Sequence, residues 1–370
     1  MLQRRNSRII RIGNVAIGGG NPVSIQSMTN TDTRDVASTL AQIRQLHELG
    51  CEIVRLAVPD QEAARALAEI RAASPIPLVA DIHFDYRLAL AAMESDVDAV
   101  RLNPGNLGEG LELVAAEAVK RNVPIRVGAN SGSVRPALLH KFESQGMSRD
   151  EAMAEALVES ALEQCRMLEK LGVTAIKAAL KSSSVPVTVA AYRKFADRTD
   201  YPLHIGVTEA GTPGRGIVKS AVGIGTLLME GIGDTLRVSL TGDPAEEVVT
   251  GRRILEACGL RDASPEIVSC PTCGRTEIDL IGLAERAEQF ISSVKQEGYE
   301  INLRKVAVMG CAVNGPGEAR DADLGMAGSK NGQLVIFKLG KVVGAFEPEA
   351  GFECFKAEIL KCSQKKKGKV

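Results

Sequence analysis

The sequence predicts an α/β protein, a (β/α)8 TIM barrel followed by a smaller α/β domain, and three observations lead to that expectation. Between Pro22 and about Cys258 short apolar runs alternate with amphipathic helical stretches, and eight such runs fall within the ~250 residues that a barrel of this kind occupies. Cationic and polar residues collect in or just past those runs. Beyond Cys258 the alternation stops and two cysteine motifs take over. The rival architecture, a doubly wound open sheet, would carry a Gly-x-Gly-x-x-Gly phosphate loop after its first strand, and none is present there.

Taken in order, the strand cores are residues 23–26, 53–58, 78–82, 99–102, 125–128, 175–179, 203–207 and 235–240. Amphipathic helices lie between them, for instance over 36–49, 61–73, 111–120 and, after a longer loop, 151–171. The glycines at 18–20 and 223–233 suit turns and close helix packing. The domains are then 1–260 for the barrel and 261–370 for the second unit, in which 280–296 reads as a helix and 305–308 and 333–337 as strands. The segment from Lys365 to Lys369 reads as a solvated, disordered basic tail.

Composition bounds the function. The chain has 370 residues, 45% hydrophobic and 25% charged, with a net charge of −1, which gives no reason to invoke DNA. Aromatic residues make up 3% and Trp is absent, leaving few platforms on which single-stranded nucleic acid could stack. Residues 1–11 are basic but lack the apolar core of a signal peptide, and no apolar run is long enough to span a bilayer. The eight cysteines are scattered rather than framed as disulfides, so the expected location is the cytoplasm.

Strands of a parallel barrel should be almost wholly apolar, so the polar residues at their ends need an explanation. Arg55, Asp81, His83, Arg101, Asn103, Arg126, Asn130, Lys177, His204, Arg237 and Ser239 all sit in or just past a strand core. Alternation places Asp81 with His83, Arg101 with Asn103, and Arg237 with Ser239 on one face, towards the barrel axis or its rim. Five of these side chains, Arg55, Arg101, Arg126, Lys177 and Arg237, are cations, and burying them unpaired would be costly. Asp81 and Glu209 are the obvious acidic partners, so an anionic ligand at the mouth answers the need, and several Arg with a Lys suit a diphosphate. His204 and Glu209 bracket the end of the seventh strand, where acid-base groups of such barrels lie. His47 and His140 are expected at the surface.

In the second unit, Cys270-Pro-Thr-Cys273 and Cys311-Ala-Val-Asn-Gly-Pro-Gly-Glu318 gather three thiols and a carboxylate among Gly and Pro. Structural zinc wants four Cys or His ligands, and Cys258, Cys354 and Cys362 stand at no matching spacing. A redox dithiol would leave Cys311 unexplained. An iron-sulfur cluster held by three thiolates and one replaceable oxygen ligand uses all four residues. Spacing leaves zinc as the competing reading, and with it an alternative function, a phosphate-ester lyase or aldolase with Lys177 as Schiff-base residue.

The chain resembles the family of bacterial 4-hydroxy-3-methylbut-2-enyl diphosphate synthases (1-hydroxy-2-methyl-2-butenyl 4-diphosphate synthases) in their two-domain form. The resemblance runs nearly full length, through Gln26-Ser-Met-Thr-Asn30, Val79-Ala-Asp-Ile-His-Phe-Asp85, Arg101-Leu-Asn-Pro-Gly105, His204 to Gly211, Gly231-Ile-Gly-Asp-Thr-Leu-Arg-Val-Ser239 and both cysteine motifs. It implies an iron-sulfur oxidoreductase with a [4Fe-4S] cluster on Cys270, Cys273, Cys311 and Glu318. It implies reductive ring opening and dehydration of 2-C-methyl-D-erythritol 2,4-cyclodiphosphate to (E)-4-hydroxy-3-methylbut-2-enyl diphosphate in the non-mevalonate isoprenoid pathway. Flavodoxin or ferredoxin would supply electrons to a homodimer, and Glu209, Asp81 and His204 are the candidates for proton delivery, Glu209 first.

Overall fold

The computed structural model describes residues 3–263, 265–311 and 321–365. The chain divides into two compact units, Met1–Arg261 and Asp262–Val370.

The first unit opens with an element that sequence reasoning missed, an antiparallel hairpin of β1 (Ile10–Ile12) and β2 (Val15–Ile17). Eight parallel strands follow: β3 (Ser24–Met28), β4 (Ile53–Ala57), β5 (Leu78–Asp81), β6 (Ala99–Leu102), β7 (Ile125–Asn130), β8 (Ile176–Lys181), β9 (His204–Ile205) and β10 (Thr235–Leu236). They pair in the order β8-β7-β6-β5-β4-β3-β10-β9, and a parallel bridge from Ala178 to Leu203 joins the two ends into a barrel. The last two strands are shorter than expected. A Cβ on Gly206 would stand 2.4 Å from the Arg237 carbonyl oxygen, so the chain past β9 runs too close to its neighbour for ordinary side chains to pack there.

Helices return the chain after each strand: α1 (Val36–Glu48), α2 (Gln61–Ala73), α3 (Tyr86–Glu94), α4 (Gly110–Arg121), the pair α5 (Pro136–Glu143) and α6 (Arg149–Lys170), α7 (Val185–Arg198), α8 (Pro213–Met229) and α9 (Pro244–Ala257). Their starts are set by side-chain caps. The carboxylates of Asp35, Asp60, Asp85 and Asp243 and the hydroxyls of Ser148 and Ser184 accept from first-turn N–H groups that no helical carbonyl can reach.

Register decides what faces inward. Met28 pairs with Arg55, Ala57 with Asp81, Asp81 with Arg101, Arg101 with Arg126, and Arg126 with Lys177, and paired positions of a parallel sheet share a face. The other face carries Val54, Leu56, Leu78, Ala80, Val100, Leu102, Ile125 and Val127 into the large apolar core under the helices. The polar face therefore lines the interior. Its floor is filled by the hairpin, whose Ile10, Ile12 and Ile17 pack on Ile53, Val79 and Ala99 at the strand starts. The basic N-terminal arm is anchored beside it, with Arg4 on Asp234 and Arg8 on Asp200 and Glu169.

In the second unit a five-stranded sheet has the order β11 (Glu266–Ser269), β13 (Lys305–Met309), β14 (Leu324–Gly328), β15 (Leu334–Lys338), β16 (Lys341–Phe346), the first three parallel and the rest antiparallel. α10 (Leu280–Gln296) and α11 (Pro348–Lys361) supply Leu283, Ala287, Ile291, Phe352, Phe355 and Ile359 to its core. β12 (Tyr299–Ile301) pairs antiparallel with β17 (Ser363–Lys365). Lys365 is thus strand rather than tail, and residues 366–370 lie outside the described residues.

Ile12, 1% exposed, is central to the floor packing. Ile12→Ala should lower the stability of the first unit by about 2–5 kcal/mol, the range for truncating a buried Ile, read as a lower denaturant midpoint. A change under ~1 kcal/mol would mean the hairpin is not part of the cooperative core.

Candidate active site and cysteine centre

The barrel interior is organised around Asp81. Its Oδ1 lies 3.2 Å from Arg101 Nη1, and its Oδ2 lies 3.7 Å from Arg55 Nε and 3.5 Å from His83 Nε2. Burial alone would raise the Asp81 pKa, but the charges of Arg55, Arg101 and Arg126 and the hydrogen bond from His83 outweigh it and hold the carboxyl below the usual range. Arg55 also directs Nε and Nη2 at Met28 Sδ, at 3.2 and 3.0 Å, and burial pushes its pKa down to about 10 despite Asp81.

Cations outnumber their partners. Among the described residues no ion pair involves Arg126, Lys177 or Lys181, and the Nε of Arg101, the Nε of Arg126 and the Nζ of Lys177 are buried without a hydrogen bond. Burial first, then the charge of Arg126, hold Lys177 and Lys181 well below the ordinary lysine pKa. His204 is fully buried; its Nδ1 is 2.8 Å from Thr235 Oγ1 and its Nε2 has no partner. Desolvation, with Lys181, Arg126 and Lys177 nearby, keeps its imidazole neutral.

The structure separates these groups by depth. Lys177 lies on the floor, where it lines a narrow space with Ile10, Ile12, Gln26 and Arg126. Lys181, which sequence reasoning missed, is four residues further along the same strand and close enough to fill the space a Cβ on Gly206 would take, its Nζ 3.0 Å from that position. Had the strand been carried past 179, parity alone would have added it. Gln26 is also buried with neither amide atom bonded.

Arg237, just past β10, is held by a residue with no signal in the sequence. Glu247 of α9, 4% exposed, accepts from Arg237 Nε at 3.2 Å and Nη2 at 3.3 Å, from Ser27 Oγ at 3.2 Å and from Leu240 N at 2.9 Å. Asn103 caps a short turn, its Oδ1 accepting from Gly105 N at 3.1 Å. Asn130 ends β7 and Ser239 is half-buried past β10. Glu209 is exposed on the loop after β9 and has a left-handed backbone, φ +51°, which side-chain-bearing residues seldom adopt. His47 and His140 are exposed, as expected.

In the second unit, Cys270 follows β11 and Cys311 follows β13, its parallel neighbour, so both buried sulfurs sit at the C-terminal ends of adjacent strands. Gly310 N donates to Cys270 Sγ at 3.2 Å. Gly310 is confined: a Cβ there would meet Thr276 Oγ1 at 3.0 Å. Cys273 is exposed on a loop closed by Cys273 N to Thr276 Oγ1 and Thr276 N to Cys273 O, at 3.2 and 3.0 Å. Backbone and side-chain hydrogen bonds from Arg275 lower the Cys273 pKa. The lowered pKa of Cys273 favours the thiolate form that iron requires. Among the described residues no three His, Cys, Asp or Glu side chains converge on one ion, and Glu318 lies outside the described residues.

Two family descriptions match the chain, the GcpE TIM-barrel domain over residues 7–252 and the GcpE protein C-terminal domain over residues 266–361. A relative from Maridesulfovibrio salexigens is 55% identical over 345 residues, covering 93% of this chain and 92% of its own length, and is named 4-hydroxy-3-methylbut-2-en-1-yl diphosphate synthase (flavodoxin). Relatives with the same name from Geobacter sulfurreducens (56% over 342 residues, 92% of this chain and 93% of the relative) and Caldanaerobacter subterraneus (51% over 360 residues, 97% and 98%) are similar. Among solved structures, Xanthomonas albilineans dihydropteroate synthase superposes with a TM-score of 0.50 at 13% identity, covering 70% of this chain and all of its own, which reflects the fold alone.

An anion placed among Lys177, Lys181 and Arg126 would restore the charge that burial suppresses, so binding should take up protons. Affinity for inorganic pyrophosphate should therefore fall from neutral to alkaline pH. Calorimetry in buffers of different protonation enthalpy should register the uptake, and none would show these lysines to be already charged.

Proposed function

This chain belongs to the GcpE family in both of its units, and from that premise we propose how its residues carry out the family's reaction. The protein is an oxidoreductase that makes 4-hydroxy-3-methylbut-2-en-1-yl diphosphate with flavodoxin as electron source. Its substrate is 2-C-methyl-D-erythritol 2,4-cyclodiphosphate. Two electrons and two protons enter, the ring C–O bond to phosphate opens, and one hydroxyl leaves as water.

The observation that carries this reading is the excess of buried cation around Asp81. Arg55, Arg101, Arg126, Lys177, Lys181 and Arg237 line one interior, and three of them have no carboxylate among the described residues. A diphosphate supplies the missing negative charge. Arg101, Arg126, Arg237 and Lys181 bind its oxygens, His83, Asn103, Asn130 and Ser239 complete the rim, and Lys177 supports Arg126 from below. The names of the relatives favour this reaction over the lyase or aldolase alternative.

The three acid-base candidates divide by environment. Asp81 stays ionised beside its arginines, so it orients Arg55 and Arg101 rather than giving up a proton. His204 is buried and neutral with Thr235 on one nitrogen. Glu209, exposed on the loop after β9, is the remaining candidate and delivers the proton to the departing oxygen. Cys270, Cys273, Cys311 and Glu318 would hold a [4Fe-4S] cluster, which supplies electrons singly and offers an iron with a displaceable carboxylate. Protein prepared without oxygen should contain iron and labile sulfide and convert the cyclodiphosphate; Glu318→Ala should keep the cluster and lose turnover, whereas Cys273→Ser should lose both. Stoichiometric zinc without sulfide would refute the assignment.

The working enzyme is a homodimer in which the cysteine unit of one chain serves the barrel mouth of the other. Arg261 Nη2 donates to Val23 O at 3.0 Å and Glu52 Oε2 at 2.6 Å, beside the starts of β3 and β4, so the chain is tied to the floor. Co-expressing Cys270→Ala with Glu209→Gln tests this. Each alone is inactive, and a mixed dimer should recover about half of the wild-type activity through one intact site built from two chains. No recovery in demonstrated mixed dimers would mean that each chain serves its own barrel.

A further inference from the structure

Gln26 is an amide in a layer of hydrocarbon. It lies on β3 two residues below Met28, on the same inward face, and pairs with Ile53 at the barrel floor. There it lines the narrow floor space with Ile10, Ile12, Val79 and Ala99, and with the cations Lys177 and Arg126. Gln26 and Lys177 are each 2% exposed, and Gln26 Oε1 and Nε2, Lys177 Nζ and Arg126 Nε all lack a hydrogen bond. No part of the space admits a water. An unpaired buried amide is destabilising, and a Leu or Met would fill the same volume without that cost.

The donor count makes any pairing here one-sided. Arg126 only donates, and a charged Lys177 has three N–H groups and no lone pair. Among the described side chains lining the space, Gln26 Oε1 is the single oxygen acceptor. The charged groups that act on Lys177 from the surrounding strands do not replace it. Arg126 on β7 and Arg55 on β4 oppose its charge, Lys181 lies four residues further along β8, and His204 on β9 is neutral. Asp234, before β10, is already held by Arg4 Nη2 at 2.9 Å, Ser7 Oγ at 3.0 Å and Leu203 N at 2.8 Å.

We propose that Gln26 is a positioning residue for the bound diphosphate: with the anion seated among Arg101, Arg126 and Lys181, Gln26 Oε1 accepts from Lys177 Nζ and fixes that side chain, as an ammonium, beneath Arg126. The proton comes from solvent, and the only covalent bond formed is N–H. The inference rests on the diphosphate site proposed above and adds to it a residue that touches no ligand. An anion above Arg126 offsets the repulsion that opposes charge on Lys177, and the amide oxygen gives the new ammonium the partner that its hydrocarbon surroundings deny it. Lys177 then adds its charge to the field at the anion and keeps the Arg126 guanidinium directed upward.

A side chain of similar reach without the amide separates this role from packing. The full-length Gln26→Met protein should have a thermal midpoint equal to or above that of wild type, because a buried unpaired amide has been removed. Its affinity for inorganic pyrophosphate should nevertheless fall roughly 10- to 150-fold at mildly alkaline pH, the loss of one hydrogen bond to a charged group. Calorimetry in buffers of different protonation enthalpy should register fewer protons taken up per anion bound. The effect must run through Lys177, so adding Gln26→Met to Lys177→Met should weaken binding by less than about twofold more. Unchanged affinity and proton uptake in Gln26→Met overturn the role of Gln26 and leave the diphosphate site standing. A variant that loses affinity together with thermal stability, or a loss that adds in full to that of Lys177→Met, reveals a packing defect and also overturns it. Wild-type protein that fails to bind pyrophosphate overturns the site itself, and the role of Gln26 with it.

Discussion

The structure depends on one carboxylate, Asp81, shared by more cations than it can neutralise. Like charges a few ångströms apart repel by on the order of 4 kcal/mol at the effective dielectric of a protein, so the ring from Arg55 to Lys177 could not be fully charged and empty together. The barrel relieves this in three ways. Asp81 stays ionised between Arg55 and Arg101; burial holds Lys177, Lys181 and His204 well below their ordinary pKa values; and Glu247 reaches in from α9 to take Arg237. What remains, chiefly Arg126, is charge waiting for an anion. The apolar hairpin under the ring matters for the same reason, since Ile10, Ile12 and Ile17 shut water out of the floor and raise the effective strength of every charge above it.

Much of the barrel could be read from sequence because a strand offers only two faces. The expected cores of β4, β5 and β6 agree with the observed strands to within a residue, and parity then set Asp81 and Arg101 towards the barrel axis or its rim without further information. Parity does not give depth. Lys177 and Lys181 share a face of β8, yet one is on the floor with Ile10 and the other stands beside Gly206, and a strand ended at 179 conceals the second. Nor does it reach helices: Glu247 looks like any acidic residue in the first turn of α9, and its bond to Arg237 is a tertiary fact.

The N-terminal hairpin was hidden for a different reason. Its strands are three residues each, and the arginines at 4, 5 and 8 mark the region as basic while the three isoleucines that matter are spread through it. Their role becomes visible only once Ile53, Val79 and Ala99 are seen to start the strands they cover. The second unit was read least completely. Its sheet turns from parallel to antiparallel at β14, and β16 exposes most of both faces, so neither of the usual apolar patterns runs through it. The strands that could be anticipated, near 305 and 334, flank β14, which is buried throughout and was not anticipated.

Glu209 brings these threads together. A residue with a side chain at φ +51° costs on the order of 1 kcal/mol relative to glycine. Among the described residues, Asp81 is engaged with its arginines, one nitrogen of His204 with Thr235, and Glu247 with Arg237 and Ser27. The same cations that grip a diphosphate lower the proton affinity of any carboxylate held among them. A proton donor for the proposed reaction must therefore stand outside the ring yet close to the mouth. In the proposed reading the exposed loop after β9 meets both conditions, and there Glu209 takes its left-handed turn while Gly206 keeps the strand below it tight against Arg237.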